Sequence, residues 1–191
     1  QIIKGFAKAC AENNCALMGG ETPQMPGFYQ AGEYDVSGTI VGVVERSRML
    51  DGKAIKRGDA VIGIASSGLH TNGYSLAPKI FFEQMGLKPT DRVPELNNTI
   101  GDELLKVHVT YGPLVQKLLK KFNVRATRAV KGLAHITGGG LLDNVPRILP
   151  EGTALDVEVG SWPVPALFSH LVELGNISRD EAHRALNMGV G

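Results

Sequence analysis

Three glycine-containing stretches of the sequence carry side chains that could do chemistry, and HITGGG is the most distinctive of them. His135 and Thr137 precede three consecutive glycines, Gly138, Gly139 and Gly140. Glycine is a poor residue to order, because it loses the most backbone freedom on folding. A strand followed by glycines and a helix start is typical of phosphate sites, since free amides and the positive helix dipole face the anion. A tight turn explains the pattern equally well, and the pattern alone names no ligand.

The stretch SSGLHTNGYSL has the same order of small residues and a helix start. An apolar strand predicted over residues 59–68 leads into it, and Thr71 and Asn72 suit the cap of the following helix. Ordinary capping accounts for Thr71, whereas a cap does not require His70. For His135 two interpretations stay open. It is either a core histidine with satisfied hydrogen bonds or a hydrogen-bond donor beside a phosphate, and in the second case the surroundings determine the charge of the histidine.

The third stretch, GGETPQMPG, places Gly20, Glu21 and Thr22 shortly after an apolar run at residues 15–18. A carboxylate on a loop at a strand end suits Mg²⁺, which proteins usually hold through one or two carboxylates and the phosphates of a substrate. A solvated glutamate in a turn is the other interpretation, and the local pattern favours it.

Alternating strands and helices must position these loops. Apolar, β-branched runs predict strands, and apolar residues at helical spacing predict helices. Gly112 and Pro113 interrupt the longest helical pattern, so we expect two helices there, and Ser178 with Glu181 has capping-box spacing. The order of elements predicts an α/β fold, or α+β layers. Strands are predicted at residues 15–18, 34–45, 59–68, within 125–137 and at 153–159, and helices at 2–13, within 69–86, 100–122 and 138–149, and at 163–175 and 178–187.

A charged, glycine-marked segment near residues 46–58 predicts a domain boundary, which we place between residues 1–46 and residues 47–191. The chain opens on Gln1 inside a predicted helix and has no initiator methionine, so we expect it to be a piece of a longer polypeptide.

Charge and hydropathy argue against two classes of partner. Lysine and arginine number 20 against 19 acidic residues, so a nucleic-acid partner has no electrostatic support. No apolar run approaches the roughly 20 residues of a membrane helix, and the first residues lack the features of a signal peptide. The two cysteines are Cys10 and Cys15, and their pattern does not indicate a disulfide framework. We therefore expect a reduced, cytoplasmic protein.

Taken in order, these stretches resemble the phosphoribosylformylglycinamidine cyclo-ligase family, also called aminoimidazole ribonucleotide synthetase. The segments that carry the resemblance are GGETPQMPG, YDVSGTIVGVVE, SSGLHTNGYSL, AHITGGGLLDNVPRILP and the closing NMGVG. Each motif is weak alone, but their order and approximate spacing match those of the family over essentially all of the chain. The resemblance is therefore specific.

The resemblance implies a fold and an activity. Members of the family use ATP to close the ring of formylglycinamidine ribonucleotide in purine biosynthesis, giving aminoimidazole ribonucleotide, ADP and phosphate. They are two-domain homodimers, with a C-terminal domain in which helices flank a mixed sheet. Residues 1–46 would then end the N-terminal domain, which binds ATP and forms the dimer. Residues 47–191 would be a truncated C-terminal domain that binds the substrate phosphate, and we expect the fragment alone to be inactive.

The resemblance also implies site residues and ligands. The partners are formylglycinamidine ribonucleotide and ATP, the latter with Mg²⁺. His70 and His135 are the candidates for substrate contact or proton transfer. The substrate phosphate is expected at Asn72, Thr137, Gly138, Gly139 and Gly140, and ATP at Gly20, Glu21 and Thr22, with Glu21 as the Mg²⁺ ligand.

The chain departs from the family at two of these places. Pro23 and Gln24 stand where the family commonly has Ala-Glu, so a second carboxylate is missing from that loop. The family often has Pro-Thr-Arg before a tyrosine where this chain has Val107, His108, Val109 and Thr110 before Tyr111, so a basic contact is missing or moved. We expect His108 itself to lie in a helical pattern, as a surface or packing residue.

Two alternatives stay open. One is a neighbour in the same ATP-binding superfamily, such as formylglycinamidine ribonucleotide synthetase, selenophosphate synthase or thiamine monophosphate kinase. The other is a non-catalytic module that binds a phosphorylated ligand. The whole ordered set of motifs favours the cyclo-ligase over the other members of the superfamily. Titration with ribose 5-phosphate compounds and ATP distinguishes the non-catalytic module from the enzyme.

Overall fold

The computed structural model describes residues 1–124 and 128–191. The segment 125–137, in which the sequence predicts a short strand, lies partly outside them, and its described residues 128–137 form no strand. The chain divides into two compact units, residues 1–49 and residues 50–191. Each unit is described by itself below.

The unit of residues 1–49 contains one α-helix, α1 (Ile2–Glu12), followed by an irregular chain and a 3₁₀ turn at Arg46–Arg48. The helix predicted at residues 2–13 is confirmed, but none of its residues is buried. The strands predicted at 15–18 and 34–45 are wrong, because neither segment has a hydrogen-bonded partner strand among the described residues. A strand needs such a partner to satisfy its backbone groups.

The unit of residues 50–191 contains the hydrophobic core, to which short helices contribute most of the side chains. Helix α2 (Leu76–Pro78) continues as a π-helix over Lys79–Gln84, and both supply buried residues. Helices α6 (Ala166–Leu174) and α7 (Arg179–Ala185) add further buried side chains to the same core. The largest fully buried side chains are Leu69, Ile80, Phe81, Ile100, Leu167, Phe168, Leu171 and Leu186.

A small antiparallel hairpin precedes the third helix. Strand β1 (Arg92–Val93) pairs with β2 (Asn98–Thr99), and helix α3 (Ile100–Leu104) begins directly after it. Thr99 caps α3, since its Oγ1 accepts a hydrogen bond from the amide of Asp102 at 3.1 Å. After a connection, helix α4 runs over Gly112–Phe122. The prediction of two helices within 100–122 is therefore confirmed.

The remaining helices follow local sequence signals. Helix α5 (Gly140–Asn144) is short and changes to a 3₁₀ turn at Val145–Ile148, where Pro146 cannot donate a backbone hydrogen bond. The predicted cap of α7 is confirmed, because Ser178 Oγ accepts from the amide of Glu181 at 3.3 Å.

The sheet differs most from the sequence-based expectation. The strands predicted at 59–68 and 153–159 form no ladder among the described residues, and the expected mixed sheet is not seen there. Residues 64–66 make only an isolated bridge, Ala65 with Val190, flanked by a bond from the Ser66 amide to Gly189 O at 2.9 Å. Helices packed with a small antiparallel sheet are consistent with the α/β class that the sequence predicts.

Candidate functional site

A buried asparagine holds the loop that carries His70. Asn187 is only 4% exposed, and its Nδ2 donates to the carbonyls of Gly68 at 2.8 Å and Leu69 at 3.2 Å. Its Oδ1 accepts from Ser66 Oγ at 2.7 Å and from the Gly189 amide at 2.9 Å. The segment NMGVG therefore fixes the backbone that leads into His70.

His70 lies at the end of this loop with a positive φ of 61° and an exposed fraction of 6%. Its Nε2 accepts hydrogen bonds from the amide of Ser67 at 3.0 Å and from that of Val109 at 3.4 Å. Backbone amides only donate, so Nε2 carries a lone pair and the neutral ring holds its proton on Nδ1. The Nδ1 atom is buried and has no partner among the described residues.

The protonation state of His70 agrees with this geometry. Burial, then the neighbouring rings of His108 and His135, lower the pKa of His70 from its usual 6.5 to about 4. At neutral pH, His70 is therefore an uncharged donor rather than a cation.

His108 joins the two predicted histidines into one cluster. Its ring stacks on His70 with centroids 3.8 Å apart and meets His135 edge-on at 5.4 Å. Tyr111 packs edge-on against His108 at 5.8 Å. Burial and His108 lower the pKa of His135 as well, although His135 is exposed at the rim of the cluster. The expectation that His108 lies in a helical pattern is wrong, because it lies in the connection between α3 and α4.

A second buried asparagine holds the triple-glycine loop. Asn144 is 4% exposed, and its Nδ2 lies within hydrogen-bond distance of the carbonyls of Thr137, Gly138 and Gly140, at 3.3, 3.2 and 2.8 Å. Thr137 Oγ1 donates to Asn144 Oδ1 at 3.0 Å. One side chain thus binds the loop at four points.

The amides of the triple glycine are mostly used within the protein. The Gly139 amide donates to Arg184 O and the Gly140 amide to Thr137 O, each at 3.0 Å. The expectation of three free amides is therefore wrong for these two, because the end of α7 and the loop itself supply acceptors. The Gly138 amide has no acceptor among the described residues.

The need for glycine has a packing explanation. Gly139 and Gly140 have φ values of 91° and 61°, in the left-handed region that favours glycine. A Cβ on Gly140 would overlap the carbonyl oxygen of His183. The bare backbone therefore lets the loop lie directly on α7.

A cavity of about 290 Å³ opens beside this loop. Its polar side chains include one permanent cation, Arg147, which is exposed and makes no ion pair with a described carboxylate. The residues that line it are Leu133, Ala134, His135, Thr137, Asn144, Arg147 and Ile148.

The two loops of the site adjoin each other. Asn72 Oδ1 lies 3.4 Å from the position that a Cβ on Gly138 would occupy. The structure thus brings together five of the residues that the sequence marks as site candidates, namely His70, Asn72, His135, Thr137 and Gly138. Their roles as ligand contacts stay predictions.

The candidates of the first unit lie in an exposed loop. Gly20, Glu21 and Thr22 are all exposed, and Glu21 makes no hydrogen bond or ion pair with another described residue. No group of three or more His, Cys, Asp or Glu side chains in the described ranges is arranged to hold a metal ion. Glu21 is a single exposed carboxylate, so it could hold Mg²⁺ only together with the phosphates of a bound nucleotide.

Sequence reasoning missed four residues of this region. His108 was marked only by a departure from the family pattern, and Arg147 only as part of NVPRILP. Asn144 and Asn187 gave no local signal, because their partners are carbonyls that the fold brings to them.

Comparison with known proteins identifies the family. Residues 56–191 match the family described as AIR synthase related protein, C-terminal domain, and residues 1–44 match the corresponding N-terminal domain. The chain therefore belongs to the AIR synthase related proteins. In the described parts of the chain, no helix has both the length and the apolar character needed to cross a membrane.

Similar proteins carry a more particular name. Proteins of Trichlorobacter lovleyi and Geobacter sulfurreducens, both named phosphoribosylformylglycinamidine cyclo-ligase, are 49% and 50% identical to this chain. A protein of the same name from Thermoanaerobacter sp. is 46% identical. Each comparison covers 100% of this chain, but only 53% of the first two relatives and 55% of the third. The chain thus spans about half the length of these relatives.

Proposed function

We propose that the protein takes part in the ATP-dependent ring closure of formylglycinamidine ribonucleotide in purine biosynthesis, as an aminoimidazole ribonucleotide synthetase. One observation carries the proposal. His70, which is distant in sequence from His135 and the triple glycine, lies in one region with them in a chain about half identical to named cyclo-ligases.

The reaction has two steps. ATP transfers its γ-phosphoryl group to the formyl-derived amide oxygen of the substrate, and ADP leaves. A nitrogen of the same substrate then attacks the carbon that bears the phosphorylated oxygen. Phosphate departs, and the nitrogen loses a proton. The second step needs close placement of the attacking nitrogen and a group that takes up its proton.

The two histidines suit different tasks in these steps. His70 accepts two backbone hydrogen bonds at Nε2, so it cannot take up a proton there without losing them. Its neutral Nδ1–H is unpartnered but buried, so we assign it a contact with the substrate that forms when the surrounding side chains move on binding. His135 is exposed and its pKa is lowered, so at neutral pH it has a free lone pair. We assign His135 the role of taking up the proton that the attacking nitrogen loses.

We propose that the substrate phosphate binds at the triple-glycine loop. Asn72, Thr137 and the triple glycine surround the place where the two loops adjoin, beside the cavity. Of the three glycine amides, that of Gly138 is the one available to an anion in the described structure.

The remaining assignments rest on the family. We propose ATP contacts at Gly20, Glu21 and Thr22, a homodimer at the relatives' full length, and a cytoplasmic location. The glycine-flanked, exposed loop is accessible to a nucleotide, which supports the first of these.

The proposal is tested with a protein of the relatives' full length that contains this chain. ADP release should depend on formylglycinamidine ribonucleotide, and His70→Ala or His135→Ala should lower turnover by well over tenfold. Arg92→Gln, on the exposed β1–β2 hairpin, is the control and should leave turnover unchanged. Near-normal turnover in both histidine variants would make them structural residues. Ligand binding without any turnover would favour the non-catalytic module.

A further inference from the structure

Several hydrogen-bond donors around the cavity are already used within the protein. The Thr137 hydroxyl proton is directed to Asn144 Oδ1, and the Asn144 amide faces three carbonyls. The amides of Gly139 and Gly140 donate to Arg184 O and Thr137 O. These groups cannot also donate to an anion without breaking the contacts that hold the loop.

Among the side chains of the cavity and the three glycine amides, the donors without an acceptor in the described residues are on Gly138, His135 and Arg147. A phosphate monoester carries a charge of about −1.5 to −2 at neutral pH, so it needs a positive partner. His135 does not supply one, since burial and His108 lower its pKa. The guanidinium of Arg147 is charged at every accessible pH, and it presents donors in a fork that matches two phosphate oxygens.

The local backbone makes Arg147 available for this contact. The 3₁₀ turn at Val145–Ile148 places Arg147 on the cavity wall, three residues after the asparagine that holds the loop. The side chain is exposed and has no carboxylate partner in the described part of the chain, so no existing ion pair must break.

We propose that Arg147 is the charged anion-binding residue of this site and that its ligand is the phosphate monoester of a ribose 5-phosphate compound. Gly138 adds an amide donor, while Asn144 positions the loop without touching the ligand. This inference rests on the proposed function, which it deepens by naming the residue that binds the phosphate.

The test measures binding of ribose 5-phosphate, inorganic phosphate and ATP to the 191-residue chain by isothermal titration calorimetry. Arg147→Gln should weaken ribose 5-phosphate binding at least about tenfold, because a charge-assisted contact is lost. Arg147→Lys, which keeps the charge but not the fork, should weaken it less. Arg92→Gln, an exposed arginine away from the cavity, is the matched control and should bind as the unsubstituted chain does.

The outcomes separate this inference from the proposed function. Equal ribose 5-phosphate affinity in Arg147→Gln and the unsubstituted chain would overturn the role of Arg147 while leaving the phosphate site in place. Failure of the unsubstituted chain to bind either phosphate would overturn both. Weakened binding of ATP but not of ribose 5-phosphate in Arg147→Gln would contradict the assignment to the monoester. Thermal unfolding of each variant should match that of the unsubstituted chain, because Arg147 is exposed.

Discussion

Two glycine-containing loops of this chain differ in what surrounds their backbone. The triple-glycine loop at residues 137–140 is held by Asn144 and lies on the carbonyls at the end of α7. The loop at residues 19–27 is exposed throughout, and a Cβ on any of its three glycines would meet no atom of the described residues within 4 Å. Glycine thus lies in open surroundings in one loop and in close packing in the other. A glycine pattern alone does not distinguish them.

The largest expected effect comes from filling the space at one glycine of each loop. Gly140→Ala adds a methyl group that overlaps His183 O, at a φ of 61°. We expect a loss of about 3 kcal/mol in the free energy of unfolding, from overpacking and left-handed strain together. Gly27→Ala also has a positive φ, 80°, but open space. It should lose about 1 kcal/mol at most, measured by urea unfolding. Equal losses would remove the packing difference between the loops.

Removal of the Asn144 side chain should come next. Asn144→Ala removes the amide that lies within hydrogen-bond distance of three loop carbonyls and the acceptor of the Thr137 hydroxyl, so we expect a loss of about 2 kcal/mol in the free energy of unfolding. Gln24→Ala, in the exposed loop, should change it by less than about 0.5 kcal/mol. Urea unfolding of both variants measures the difference, and an unchanged midpoint for Asn144→Ala would show that the loop is held by other contacts.

These loops also show what sequence reasoning can and cannot reach. Helices α1, α4 and α7 were predicted because periodicity and caps are local. Strands β1 and β2 were not predicted, and the strands that were predicted do not form among the described residues. A ladder depends on a partner segment, which periodicity does not identify. The candidates His70 and His135 came from motif order, whereas His108 and Asn144 act through contacts that only the folded chain creates.

A pH series compares the histidine cluster with the rest of the chain. The pKa of His70 is lowered from 6.5 to about 4, so between these values the unfolded chain binds a proton that the folded chain does not. The contribution of neutral His70 to the free energy of unfolding is therefore full above pH 6.5 and is lost as the pH falls toward 4. We expect it to fall by about 1 to 2 kcal/mol between pH 7 and pH 5.

The control for the pH series is His70→Asn, in which the ring that titrates is absent. The fall in unfolding free energy between pH 7 and pH 5 should be smaller by the amount assigned to His70. His108 and His135 face His70 and are unchanged in the variant, so the difference between the two series reports on His70. An identical fall in the variant would contradict the lowered pKa of His70.

The central claim is that the triple glycine packs against the protein, while Gly138 and nearby side chains bind the anion. Amide hydrogen exchange of the 191-residue chain, followed by nuclear magnetic resonance with and without ribose 5-phosphate, tests it most directly. We predict that the amides of Gly139 and Gly140 are protected without ligand, that Gly20 exchanges freely, and that Gly138 becomes protected only when ligand is added. Free exchange at Gly139 and Gly140 that slows on adding ligand would show that these amides bind the anion themselves, and would contradict the account.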